Sequence, residues 1–266
     1  MKTDIRDYST IKVTQKANFA VVELNRPEKF NALSPELAED FTIAWSDVTG
    51  DDTVKSIIIT GAGPSFCAGG DVEEDLNPLR EMDPIEFHKY FREAGLFFKG
   101  VIDSEKPVIA AINGLAVGGG LDLALCCDIR IASEKAKMGE FFVKMGLSPD
   151  MGNYLLPRLV GPAWAKLLCF TGDIMNAAEA EKIGLVQKVV PPEELMPEAE
   201  RLAKRLADGP AAIGFIKKAI HESQDMSLES YLDYITRMQY QLCHTKDHKE
   251  AVTAWLEKRE PLFTGK

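Results

Sequence analysis

The sequence is poor in the residues that metal centres and disulfide frameworks require. It has five cysteines, an odd number with no C-x-x-C spacing, and only four histidines in 266 residues. His244 and His248 are four residues apart, but they lie in a charged segment typical of a solvated helix face. We therefore predict neither a disulfide framework nor a metal site, and the free thiols indicate a reducing compartment such as the cytoplasm.

Long apolar runs and an excess of basic residues are also missing. No run is long enough to cross a bilayer, and residues 1–7 are too polar to begin a signal peptide. The formal net charge of −10 argues against a nucleic-acid partner, because nothing in the chain forms a basic stripe. We predict a cytoplasmic protein whose partners include neither a membrane nor a nucleic acid.

Three common catalytic or nucleotide-binding motifs are absent as well. Gly61 and Gly63 begin like a dinucleotide fingerprint, but Phe66 stands where the third glycine belongs. No glycine loop is followed by Gly-Lys-Ser or Gly-Lys-Thr, and no Gly-x-Ser-x-Gly elbow occurs. The glycine-rich segments therefore need another explanation.

The order of apolar patterns predicts one large α/β unit followed by helices. Residues 11–15 and 19–24 read as an antiparallel pair, and Ser34 followed by Pro35 marks a helix start. Strands then alternate with helices, which favours a parallel sheet. From about residue 191 only helical patterns follow, so we predict a catalytic core over residues 1–190 and a helical oligomerisation region over 191–266.

Two apolar runs each lead into a glycine-rich turn followed by an aspartate. Residues 56–61 precede Gly69 and Gly70, and residues 107–114 precede the triple glycine at 118–120. A β-branched run that ends in glycine is typical of a buried parallel strand whose backbone closely approaches another group. Two exposed amides at such turns would form an oxyanion hole.

The motifs at these turns resemble those of the crotonase superfamily, the enoyl-CoA hydratases and isomerases. The resemblance extends over essentially the whole chain. It rests on residues 25–33, 66–71, 110–114, 118–120, 127–132 and 171–186. It implies a spiral of repeated ββα units with a C-terminal helical trimerisation region. It also implies an acyl-CoA thioester substrate, no separate cofactor, and a homotrimer or a dimer of trimers.

The resemblance assigns the oxyanion-hole amides to Gly70 and Gly119. The position of Gly119 supports this, since a helix is expected to start there and its free N–H and dipole would favour a negative charge. The loop from Asp71 to Pro84 resembles the mobile acyl-pocket loop of the family. The residues that the resemblance places at the acyl-CoA are Arg26, Lys29, Ala32, Ala68, Gly70, Asp71, Val72, Gly118, Gly119 and Phe142. Lys258, Arg259 and Lys266 are further candidates for the phosphates of a neighbouring subunit's ligand.

Two aspartates are candidates for proton transfer. Asp122 falls in the first turn of the helix after Gly119, where an acid also complements the helix dipole; the family resemblance places the first catalytic glutamate of hydratases here. Asp150 precedes a predicted helix, so it reads either as an N-cap or as the catalytic aspartate of isomerase-like and dehalogenase-like members.

A departure from the hydratase pattern favours isomerisation. By the resemblance, a hydratase has its second glutamate where Phe142 stands and a glycine where Asp150 stands. One base beside an apolar pocket suits moving a proton between carbons, whereas hydration needs two acids around a water. Glu140 would substitute for the missing glutamate if this segment is extended. The alternatives are hydration with Asp122 and a second acid, decarboxylation or hydrolysis of an acyl-CoA, and a catalytically silent scaffold.

Overall fold

The computed structural model describes residues 4–265. This part of the chain contains two β-sheets and ten α-helices. The strands are β1 (Asp4–Asp7), β2 (Ile11–Lys16), β3 (Phe19–Leu24), β4 (Ser56–Gly61), β5 (Ser65–Cys67), β6 (Val108–Ile112), β7 (Leu115–Val117), β8 (Ile129–Ser133), β9 (Lys137–Gly139), β10 (Met175–Asn176) and β11 (Lys188–Val190). The helices are α1 (Pro35–Gly50), α2 (Pro84–Asp103), α3 (Gly119–Cys126), α4 (Gly152–Leu159), α5 (Gly161–Thr171), α6 (Ala177–Lys182), α7 (Leu195–Ala207), α8 (Ala212–Ser223), α9 (Leu228–Cys243) and α10 (Lys246–Glu257).

Most neighbouring strands within each of the two sheets are parallel, and the chain passes from one sheet to the other several times. The larger has the order β1-β2-β3-β4-β6-β8-β11, with β1, β2 and β3 antiparallel and the rest parallel. The smaller has the order β10-β9-β7-β5, in which only β10 is antiparallel. From β4 to β9 successive strands alternate between the two sheets, as in the predicted spiral of ββα units. The predicted α/β fold class is therefore confirmed.

Both faces of the large sheet are buried. Ile57 and Ile59 on β4 point into the main core, whereas Ile58 between them packs into a second core on the opposite face. Helix α7 closes that second face through Leu195 and Ala199. Side chains of a strand alternate between faces, so a continuous apolar run such as β4 is expected where both faces are covered.

Helix α1 begins where the sequence predicts. The Ser34 hydroxyl accepts a hydrogen bond from the Leu37 amide (3.2 Å). Phe41 and Trp45 follow on the buried face of the helix and stack at 5.4 Å between ring centroids. Capping and an apolar stripe thus agree with each other, which is why this helix could be predicted from the sequence.

The helical C-terminal region is less separate from the core than the pattern change at residue 191 indicates. The predicted helices occur as α7 to α10. However, α7 contacts β3, β4, β6 and β8, so the first of them belongs to the packing of the large sheet. The oligomerising role of the region stays a prediction. No helix within residues 4–265 combines the length and hydropathy that crossing a membrane would require.

Candidate active site

The first glycine turn follows β5 and is held from both sides by Leu33. The Leu33 amide donates to the Gly69 carbonyl and the Leu33 carbonyl accepts from the Asp71 amide, both at 2.7 Å. Gly69 has φ of +84°, a conformation that favours glycine. Because this pairing uses the backbone groups on either side of Gly70, the N–H of Gly70 points away from Leu33.

The second glycine turn joins β7 to α3. Gly118 has φ of +54°, and Gly119 is the first helical residue. The N–H groups of a helix's first turn have no partner within the helix. The Gly119 amide is therefore available to a ligand at the positive end of the α3 dipole.

The two turns lie in contact with each other. A Cβ atom added to Gly69 would lie 3.4 Å from the Gly119 nitrogen, and one added to Gly120 would lie 2.1 Å from the Cys67 carbonyl oxygen. Glycine at 120 is therefore required for the two backbones to approach. Contact between the two turns is what an oxyanion hole formed by the amides of Gly70 and Gly119 would need, and that role of the two amides stays a prediction.

Asp122 is fully buried one turn into α3, and its carboxylate reaches the segment that precedes α4. Its Oδ2 accepts a hydrogen bond from the Met151 amide (3.0 Å), while its Oδ1 has no hydrogen-bond partner among the described residues. Burial raises the pKa of Asp122 to about 7. The hydrogen bond from Met151 lowers this pKa, and the charge of Asp150 raises it further. A carboxyl group with such a pKa can exchange a proton near neutral pH.

Asp150 is not the cap of α4. The residue before that helix is Met151, whose side chain makes no capping bond, and the Asp150 carboxylate accepts no hydrogen bond from any described residue. The residue lies at the surface, yet neighbouring atoms crowd its carboxyl group. This desolvation, together with the charge of Asp75, raises the pKa of Asp150 to about 6. The N-cap interpretation is therefore wrong, and the carboxylate is free to act on a ligand.

Two polar residues that the sequence analysis missed connect Asp150 to the first glycine turn. A Cβ atom on Gly70 would lie 2.7 Å from Oδ2 of Asp75, and the Tyr90 hydroxyl donates a hydrogen bond to the other oxygen of Asp75. Burial raises the pKa of Tyr90, and the hydrogen bond to Asp75, the charge of Asp75 and the charge of Asp150 raise it further. Asp75 lies in the acyl-pocket loop and Tyr90 lies on α2, so only the tertiary fold brings them together. A tyrosine on the otherwise apolar face of Phe87 and Phe91 was the available signal.

Phe142 lies against the second glycine turn. Its ring would be 3.7 Å from a Cβ atom on Gly118. The segment from Phe141 to Met145 is a short 3₁₀ helix, so the expectation that an extended segment places Glu140 and Phe142 on one face is wrong. Phe142 is half-buried beside the turn, whereas Glu140 is fully buried.

The charged residues predicted to hold phosphates have partners within the chain. The Arg26 guanidinium is buried, donates to the Ala32 carbonyl (2.9 Å) and pairs with Asp71 (3.4 Å) and Glu74 (3.0 Å). Lys29 pairs with Glu73 at the surface (3.1 Å). These contacts tie the β3–α1 segment to the acyl-pocket loop. The phosphate contacts of Arg26 and Lys29 stay predictions.

The other predicted binding residues surround the same two turns. Ala68 lies in the first turn, and Asp71 follows it and caps the wide helical turn from Val72 to Leu76 by accepting from the Glu73 and Glu74 amides. Val72 itself is exposed. Of the C-terminal candidates, Arg259 pairs with Glu250 and Glu257, and Lys266 lies outside the described residues.

Known proteins are similar to this chain over almost all of its length. The family model for enoyl-CoA hydratase/isomerase matches residues 14–266. The chain belongs to this family. The crotonyl-CoA hydratase of Syntrophomonas wolfei is 42% identical, with 97% of this chain and 99% of that protein covered. The 1,2-epoxyphenylacetyl-CoA isomerase of Escherichia coli is 37% identical, with 91% and 94% covered.

Solved structures agree with the family assignment. The crystal structure of enoyl-CoA hydratase subunit I from Geobacillus kaustophilus superposes with a TM-score of 0.91 at 36% identity and covers 98% of this chain and 100% of that one. The crotonase resemblance is therefore confirmed, and the chain is an enzyme of the enoyl-CoA hydratase/isomerase family.

Proposed function

We propose that this enzyme shifts the double bond of an enoyl-CoA thioester, with Asp150 as the residue that carries the proton. The amides of Gly70 and Gly119 would bind the thioester oxygen and stabilise the enolate that forms when a carbon-bound proton leaves. The observation that supports Asp150 most directly is its carboxylate, which has a pKa of about 6 and no hydrogen bond from the described residues.

The reaction needs only one base. Asp150 accepts a proton from the α-carbon of a 3-enoyl thioester, and the electrons of that C–H bond form the carbon–carbon double bond of the enolate while the carbonyl electrons move onto the thioester oxygen. The protonated Asp150 then returns the proton to the γ-carbon as the carbonyl group re-forms, which leaves the new double bond between the α- and β-carbons. Atoms and charge balance without water. Phe142, beside Gly118, contributes an apolar ring where hydration would require a second acid.

Hydration of a 2-enoyl thioester is the second candidate. The relative from Syntrophomonas wolfei is named a hydratase, and so is the protein in the Geobacillus kaustophilus structure. In this chain Asp122 would then have to work with a second acid, either Asp150 or Glu140. The names of these relatives support hydration, whereas the replacement at Phe142 and the free carboxylate of Asp150 support isomerisation.

The test is Asp150→Asn, with Asp122→Asn as the matched variant. Both variants are assayed on 3-enoyl thioesters for appearance of the conjugated thioester, and on 2-enoyl thioesters for its loss to water addition. We expect wild type to isomerise faster than it hydrates. Asp150→Asn should lower isomerisation by about 10²-fold or more, with little change in stability because no hydrogen bond to the carboxylate is lost. Full isomerase activity in Asp150→Asn, or a wild-type enzyme that hydrates faster than it isomerises, would contradict the assignment.

A further inference from the structure

Glu140 is a buried carboxyl group with no visible partner. It is fully buried, and neither of its side-chain oxygens has a hydrogen-bond partner among the described residues. No ion pair to it occurs within residues 4–265 either. A buried polar group without a partner is costly, and an isolated buried carboxylate much more so. A partner for Glu140 therefore has to be found among its neighbours.

The nearest candidate is Asp122, because both carboxyl groups lie against the start of α4. A Cβ atom on Gly152 would lie 2.5 Å from Oε1 of Glu140, so glycine at 152 makes room for this carboxyl group. Asp122 reaches the same segment through its bond from the Met151 amide. Its other oxygen, Oδ1, is buried and unpartnered. Two buried carboxyl groups thus approach the start of the same helix, and Oδ1 of Asp122 and both oxygens of Glu140 have no hydrogen-bond partner among the described residues.

We propose that Glu140 is a positioning residue that stays protonated and donates a hydrogen bond to Asp122. One shared proton joins Oδ1 of Asp122 to one oxygen of Glu140 and keeps two adjacent negative charges from forming. Asp122 would then be held from one side by the Met151 amide and from the other by Glu140. The expected effect of Glu140 on activity rests on the proposed function, because it requires that Asp122 takes part in the reaction.

The electrostatics of the surrounding groups agree with a neutral Glu140. Burial, followed by the charges of Asp122 and Asp150, raises the pKa of Glu140 to about 9. Cys169 on α5 is a further titratable neighbour; burial, followed by the charges of Glu140 and Asp122, raises the pKa of its thiol to about 11. Each of these groups is either acidic or a neutral thiol, so none of them favours an ionised Glu140.

The test compares Glu140→Gln with Glu140→Met. Glutamine keeps the shape of a protonated glutamate and a donor toward Asp122, whereas methionine keeps the length without a donor. We expect Glu140→Gln to stay within about threefold of wild-type kcat and to lack a fall in activity above about pH 9 that the wild type shows. Glu140→Met should lose about tenfold or more in kcat, since Asp122 loses one of its two hydrogen bonds.

A stability measurement tests the protonation state without any substrate. An unfolded chain has Glu140 ionised between pH 6 and 8, while the folded chain keeps it protonated, so the folded state binds one more proton and the wild type loses stability as pH rises. Glu140→Gln lacks this dependence. The Tm of the wild type should therefore fall relative to that of Glu140→Gln by about 5–10 °C from pH 6 to pH 8.

The outcomes separate the explanations. If Glu140→Gln is as inactive as Glu140→Met, Glu140 acts as an ionised base and the proposal is wrong. If both variants match wild type in kcat and in pH profile, Glu140 has no positioning role. A parallel Tm–pH dependence in wild type and Glu140→Gln overturns the protonated state directly. Because this last result needs no turnover, it stands even if the reaction assigned to the enzyme is incorrect.

Discussion

Deleting the Gly119 amide should remove much of the catalysis while leaving the fold in place. Gly119 is the first residue of α3, a position where proline is well tolerated because its missing N–H has no partner in the helix. Gly119→Pro therefore removes one donor of the oxyanion hole without breaking a helical hydrogen bond. Few sites in the chain allow so direct a test of a backbone group.

Gly119→Ala is the control for steric disturbance. The loss of activity in Gly119→Pro beyond that in Gly119→Ala measures the contribution of the missing N–H. A Cβ atom at this position would lie 2.9 Å from Cδ1 of Leu33, so both substitutions force the same side chain to shift, at a cost of about 1–3 kcal/mol in stability. Only proline also removes the N–H. Loss of one such donor lowers kcat by about 10²–10³, equivalent to about 2.7–4 kcal/mol.

The assay is kcat on enoyl-CoA thioesters for wild type, Gly119→Ala and Gly119→Pro, with thermal unfolding of each. We expect Gly119→Pro to be at least about 10²-fold slower than Gly119→Ala at similar Tm, and more if the proline ring also fills the space of the thioester oxygen. A folded Gly119→Pro enzyme within threefold of Gly119→Ala would refute the assignment of Gly119 to the oxyanion hole.

Two further predictions concern pH and assembly. If Asp150 is the base, it must be ionised before substrate binds, so kcat/KM should rise with pH through about 6 and level off above it; a profile flat from pH 5 to 8 in the wild type would contradict this. We also expect a trimer or a dimer of trimers, since Trp255 and Leu256 on α10 are 84% and 76% exposed in the single chain. A monomer by light scattering at micromolar concentration would show that this expectation is wrong.

The fold could be predicted because its local signals agree with one another. The apolar run of β4, the Ser34 cap of α1 and the two glycine turns each indicate the same α/β arrangement from a few adjacent residues. Contacts within a few residues along the chain decide such features. Chain segments far apart in sequence decide how they pack, and α7 is the example: its apolar face was visible, but its place on the large sheet was not.

The candidate site could be predicted only where backbone geometry decides its chemistry. The glycines of the two turns indicate the proposed oxyanion hole, because few other residues adopt a positive φ or let two backbone segments come so close. In contrast, the roles of Asp75, Tyr90 and Glu140 depend on which distant segments cover them. Glu140 is two residues from Phe142 in the sequence, but only the structure shows that a 3₁₀ turn follows Glu140 and that its carboxyl group is buried while Phe142 is half-buried.

The distribution of acids around one oxyanion hole is what separates the possible reactions of this enzyme. The proposed oxyanion hole of Gly70 and Gly119 would stabilise any enolate, so it fits the whole family and selects no single reaction. We expect the reaction to depend on which carboxyl groups lack a hydrogen bond, which accept one, and which are protonated. Asp150 has no hydrogen bond from the described residues, Asp122 is held by the Met151 amide, and Glu140 is sealed from solvent. Under the proposed function, one accessible base beside a buried pair of acids would carry a proton between carbons, because water activation would require a second ionised group that reaches the substrate.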